Sequence, residues 1–273
     1  MAWWHDRGQT EFRISDTEMS KFLPPLRSLL PVEHGSWFML GFPMALGLLL
    51  RPSLAGLCLG LAALSFFLGR PALRRHLNGP KDSTQLHALL LLGSTAAAFG
   101  ISTLLLSDFR FLIPLACVCP LILLALRADV ERAVRTLTVE LAAQASFSGL
   151  AAAMVVAGGG PIAQAGRAWL FATLLGSANL IHVRHFLGHA HRLDAQELTQ
   201  RMILVHILHL LLTGISAVLL ATGGLPGILW TSWTVLLYLR ALLPHRSIPA
   251  RTLGWREGGL SAVGLVLLWR ALV

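Results

Sequence analysis

The chain has 273 residues, of which 55% are hydrophobic and only 13% charged, with a mean hydropathy of +0.68. Soluble domains carry about 25% charged residues, so a water-soluble globule is excluded, and apolar runs that do not alternate exclude a transmembrane β-barrel. The formal charge of +9 comes with no nucleic-acid-binding motif, so nucleic acid is not an expected partner and the excess is read as topogenic and lipid-facing.

Taken in chain order, residues 1–29 form a polar N-terminal segment that lacks the hydrophobic core of a signal peptide. Residues 30–273 read as a single all-α domain, a polytopic transmembrane helical bundle. A span needs about 20 mostly apolar residues, and nine segments qualify: 31–50, 53–69, 87–106, 111–126, 137–157, 167–184, 201–222, 225–243 and 257–273. Connectors at 51–52, 107–110 and 223–224 are so short that they predict helical hairpins.

The basic residues test this count. With nine spans, 18 Lys and Arg fall on the N-terminal segment and the even connectors, and only Arg51, Arg110, Arg167 and Arg270 fall on the other side. A wrong count would scramble that split. It predicts a cytoplasmic N-terminus and an outside C-terminus. The longer connectors share the predicted cytoplasmic side, so any site is expected to open there.

Ionisable groups stand where apolar runs begin and end. Glu33 and His34 open the first span in "PVEHGSWFMLGFPMALGLLL". Arg70, Arg74 and Arg75 close the second; guanidinium forks suit phosphate, and topogenic arginines facing lipid headgroups give the same pattern. Glu140 lies about a turn inside the fifth span, where an acid faces the bundle interior and pairs with a base. Arg127, Arg135 and Arg184 are the candidate bases, and Gln144 and Ser148 continue the Glu140 face. Near the end of the sixth span, "NLIHVRHFLGHAHR" places His182, His185 and His189 on one helical stripe beside Asn179 and Arg184, with His206 and His209 able to face them from the next span. Such imidazoles can bind a metal or haem iron, line a polar interior that contacts an anion, or sit inert at the interface. The candidate catalytic residues are Glu33, His34 and Glu140; the candidate ligand-binding residues are Arg70, Arg74, Arg75, Arg127, Asn179, His182, Arg184, His185 and His189. No metal ligand set or cofactor is assigned. Cys58, Cys117 and Cys119 lie in apolar runs and read as small packing residues.

The stretch "LLPVEHGSWFMLGFPMALG" resembles the opening of the YwiC-like family of bacterial membrane proteins, with weaker echoes in "FFLGRPALRRHL", "RADVERAVRTLTVELAAQASFSGLAAA" and "IPARTLGWREGGLSAVGLVLL". The resemblance follows most of residues 30–273 and implies a multi-pass protein of the bacterial inner membrane. Nine spans, with polar clusters after the second and sixth, are also similar to the UbiA prenyltransferase superfamily, whose members hold a prenyl diphosphate through Mg²⁺ on aspartate-rich motifs at those two places. Here arginine, histidine and asparagine stand instead, and Asp82 and Asp194 lack motif spacing, so Mg²⁺ loses its hard oxygen ligands. Three expectations follow. One is a UbiA-like, prenyltransferase-related enzyme or lipid-binding protein, with membrane lipid and an isoprenoid or quinone as partners. A second is a transporter of a small anion or metabolite. The third is a non-catalytic or haem-binding subunit of a membrane complex.

Overall fold

The computed structural model describes residues 34–79, 83–131, 136–190, 193–222, 224–243 and 250–273. Among them stand nine α-helices and no strand: α1 His34–Leu50, α2 Leu54–Asn78, α3 Ser83–Leu106, α4 Leu112–Val130, α5 Leu137–Ala157, α6 Ile162–Ala190, α7 Ala195–Thr222, α8 Gly224–Leu242 and α9 Ala250–Leu272. Within the described residues each of the nine predicted segments falls on one helix. Five helices, α2 to α5 and α7, are long and apolar enough to cross a bilayer, and Trp37–Leu50 of α1 is a shorter apolar helix. The chain is therefore a multi-pass helical membrane protein.

The helices outrun the apolar segments chiefly at one end. α2 continues to Asn78 and α6 to Ala190, while α7 starts at Ala195 and α9 at Ala250. Apolar counting stops at the first charges, but a backbone leaving the bilayer keeps its hydrogen bonds and lets the charged side chains meet water. We call this the polar end; the even connectors lie there.

Local chemistry sets the starts. Ser53 caps α2 by accepting from the Gly56 amide, and Thr136 caps α5 through Val139. Asp194 accepts from the Glu197 amide at 2.7 Å and starts α7. Gly159, at φ +76°, turns α5 into α6 in a conformation that a side chain would strain.

Helices α1, α5, α6, α7, α8 and α9 close a ring of neighbours, with α2 and α4 packed outside α5 and α3 against α2. The core runs along α5, whose residues from Gly149 to Ala157 are all buried. Small residues bring it close to its neighbours. A Cβ on Gly47 of α1 would stand 2.8 Å from Met154 Cβ, and one on Gly149 would stand 2.6 Å from Val118 of α4. Outward, Leu90, Leu105, Leu123, Leu210 and Val218 are exposed, as lipid-facing positions are. Cys117 and Cys119 are also exposed on α4 and only Cys58 is buried; packing accounts for one of the three.

The end opposite the polar end is tied shut. Arg51 Nε donates to Gln164 Oε1 at 3.1 Å, and Gln164 Nε2 donates to the Leu272 carbonyl at 3.3 Å. This joins the α1–α2 turn, the start of α6 and the end of α9.

Candidate functional site

Among the described residues three ion pairs join different helices, and all three lie at the polar end. Arg70 of α2 meets Asp129 of α4 at 3.1 Å, Arg184 of α6 meets Glu140 of α5 at 3.2 Å, and Arg240 of α8 meets Glu257 of α9 at 2.9 Å. The helix directions require this placement, because C-termini of even-numbered helices and N-termini of odd-numbered ones share that end. Arg184 is also fixed from α7: its carbonyl accepts from Arg201 Nη1 at 2.7 Å, while Arg201 is paired with Glu197. Of the three bases proposed for Glu140, Arg184 meets it, and Arg135 lies outside the described residues. Arg127 turns outward to Glu131 on its own helix at 2.7 Å.

The predicted histidine stripe divides. His182 and His185 are buried, and His189 reaches His185 with 3.3 Å between their Nε2 atoms. His182 lies edge-on to His209 across the α6–α7 hairpin, ring centroids 6.4 Å apart. His206 turns the other way and bonds Tyr238 of α8 through Nδ1 at 3.1 Å. His209 Nδ1 sits 2.8 Å from the Val205 carbonyl, which can only accept, so that nitrogen carries the proton and Nε2 is left as an acceptor with no partner among the described residues. No group of three or more metal-ligating side chains occurs among the described residues; the imidazoles meet in twos.

Asn179 belongs to a second arrangement. Its Nδ2 donates to Ser261 Oγ of α9 at 3.2 Å. Glu257, Ser261 and Gly264 lie at i, i+4 and i+7 on α9, one face. Opposite them, Arg240 and Trp233 lie seven apart on α8. Arg240 pairs with Glu257, and Trp233 Nε1 stands 3.1 Å from where a Cβ on Gly264 would be. Both pairings fit a single antiparallel register. The result is a polar seam among α6, α8 and α9. Asn179 Oδ1, Trp233 Nε1, Arg240 Nε and Nη1, and Glu257 Oε1 are buried with no hydrogen-bond partner among the described residues. An unpaired buried polar atom costs about 1–3 kcal/mol, and five such atoms fall in this one interface.

The remaining predicted residues disperse. Glu33 and the side chain of His34 lie outside the described residues. Arg74 is exposed on α2 and Arg75 is half-buried beside it. Gln144 and Ser148 follow the Glu140 face inward; Gln144 Nε2 donates to Ser148 Oγ at 3.1 Å, and its side chain fills the space that a Cβ on Gly176 would need. Sequence reading missed Arg240, Glu257, Ser261 and Trp233 as site residues. The signal available was Glu257, an acid at the very start of an apolar run, where an ionisable residue points to a function by default.

Fold and site together define a multi-pass helical membrane protein whose buried charges collect at one end. The comparison with known families is more particular: residues 30–155 match the family described as YwiC-like protein. The match takes in the "PVEHGSWF" stretch and runs almost to the end of α5, and the later stretch "IPARTLGWREGGLSAVGLVLL" lies outside the matched residues. No curated protein and no solved structure matches the chain.

Proposed function

We propose that this protein binds the head of an isoprenoid, quinone or other lipid-soluble molecule at the polar end of α5 to α9, as a UbiA-like binder or prenyltransferase-related enzyme that works without an aspartate-held Mg²⁺. The observation that carries the reading is the α6–α8–α9 seam: donor atoms of Arg240 and Trp233 and acceptor atoms of Asn179 and Glu257 stand without partners among the described residues, at the same end of the bundle as the Glu140–Arg184 pair. A ligand head that supplies both acceptors and a donor would relieve them. Asp129, in the region between the two UbiA-type motif positions, is committed to Arg70, so charge on the ligand would be met by arginine and imidazole. In this reading the protein sits in the bacterial inner membrane with the polar end and N-terminus in the cytoplasm. Membrane lipid is its surroundings, and the isoprenoid or quinone is its ligand.

Mass spectrometry of molecules retained by the full chain after gentle purification tests this. An isoprenoid or quinone species is expected in the native protein and is expected to be lost from Arg184→Ala and Asn179→Leu. Phospholipid alone, retained equally by all three proteins, overturns it.

A further inference from the structure

A crevice of about 130 Å³ opens on the lipid-facing side of α2, α4 and α5, far from the seam in sequence. Its wall is built by Ala63 and Phe66 of α2, Ile122 and Leu126 of α4, and Ala143 and Phe147 of α5. Ser146 adds a hydroxyl, but this donates to the Ala142 carbonyl at 2.7 Å and asks nothing of an occupant. All three helices are long and apolar enough to cross a bilayer, so what fills the crevice in a membrane comes from the lipid.

One end of the crevice is charged. Ala63, Phe66, Arg70 and Arg74 follow one another at i, i+3, i+7 and i+11, a single stripe along α2. The stripe begins apolar and ends in two guanidiniums. Arg70 lines the crevice, lies over the Phe67 ring at 5.8 Å and is paired with Asp129. That pair is neutral. Arg74, one turn further out, is exposed and adds a positive charge. The Arg127–Glu131 pair beyond it is neutral too. Among the described residues the groove therefore presents an apolar slot that ends in net positive charge at the level where headgroups lie.

We propose that this crevice is a binding site for an anionic bilayer lipid, with one acyl chain along Phe66, Ile122 and Phe147 and the phosphate between Arg70 and Arg74. The site lies within the YwiC-like part of the chain and shares no residue with the seam, so it stands or falls independently of the proposed isoprenoid ligand.

The test is native mass spectrometry of the full chain in detergent with equal amounts of dioleoyl phosphatidylglycerol and dioleoyl phosphatidylcholine. The native protein is expected to retain the anionic phosphatidylglycerol preferentially, and Arg74→Gln, an exposed change that leaves the core alone, is expected to lower that preference by roughly fivefold. Ala143→Leu, or Ala63→Leu should the first fail to fold, narrows the slot and is expected to reduce adducts of both lipids. Equal retention of the two lipids by the native protein overturns the proposal, as does a preference unchanged by Arg74→Gln. In either event, retention of an isoprenoid at the seam is unaffected.

Discussion

Among the described residues the two halves of the bundle differ in what they bury: histidine and acidic side chains are buried in the second and not in the first. From α1 to α5 the buried surface is mostly alanine, leucine, valine and glycine, its buried polar residues Ser65, Thr103, Gln144 and Ser148 are all uncharged, and helices approach until Gly47 touches Met154 and Gly149 touches Val118. From α6 to α9 the interior holds His182, His185, His209, Ser216, Thr234 and Glu257. Lipid tails are as apolar as leucine, so the first half coheres by close contact rather than by escape from water. Beside the Arg70–Asp129 pair of the first half, the second half has several side-chain bonds between helices: Trp230 to Ser216 at 2.8 Å, Asn179 to Ser261, Arg240 to Glu257. Some of those polar groups are satisfied and some are not. Close packing alone builds a scaffold, whereas orphaned polarity builds a place for something else. Of α6 to α9, only α7 is both long and apolar enough to count as a span by hydropathy, because the seam residues lower the score of the others.

The sharpest way to break this contrast is to unbalance the seam. Glu257→Ala leaves Arg240 buried and uncompensated, a loss of about 3–5 kcal/mol, and is expected to show as a collapse in thermal stability and folded yield. The double variant Arg240→Leu/Glu257→Leu removes both charges, and recovery of most of the stability in it would locate the cost in the unpaired charge and not in lost contact. A double variant as unstable as the single one would mean that the pair itself holds α8 to α9.

A smaller effect is expected in the first half. Gly149→Val forces atoms against Val118 and should cost about 1–3 kcal/mol, measured as a shift in melting midpoint. Val118→Ala in the same chain should restore part of it, since the clash is with that side chain. Absence of rescue would mean that α4 and α5 are held apart by something other than this contact. The smallest effect belongs to Arg127→Ala. Its partner Glu131 is on the same helix and both are exposed, so the change should fall within about 0.5 kcal/mol. A larger loss would show that Arg127 does more than face solvent.

How much of this was legible beforehand follows the same division. Apolar runs are a one-dimensional signal, and all nine helices could be read from them because lipid enforces length and composition segment by segment. The Glu140–Arg184 pair was one of three named choices, since an acid inside a span needs a base and few were near. Arg240 and Glu257 each looked like an ordinary charge at the edge of a span; what joins them is the register of α8 against α9, which no single segment encodes. The histidines of α7 were legible only in part for a related reason: His209 faces His182 as its spacing allowed, and His206 does not. His206 and His209 share a stripe on α7, but that helix has α6 on one flank and α8 on the other. One ring went to Tyr238 and the other to His182.

The contacts of α9 carry a consequence for the order in which the protein comes into being. Phe38 of α1 lies against Gly258, close enough that a Cβ there would stand 2.0 Å from the ring. Ser261 meets α6, Glu257 meets α8, and the Leu272 carbonyl closes the staple through Gln164 to Arg51. Each of those partners is synthesised before α9, so a nascent chain of eight helices enters the membrane with an open ring, a solitary Arg240 and α1 lacking one wall. Closure is one late step in which a single hairpin arm seals the ring, neutralises the arginine and creates the seam together. Until then, any factor that shields a half-built interface in the bilayer would find it between α1 and α8.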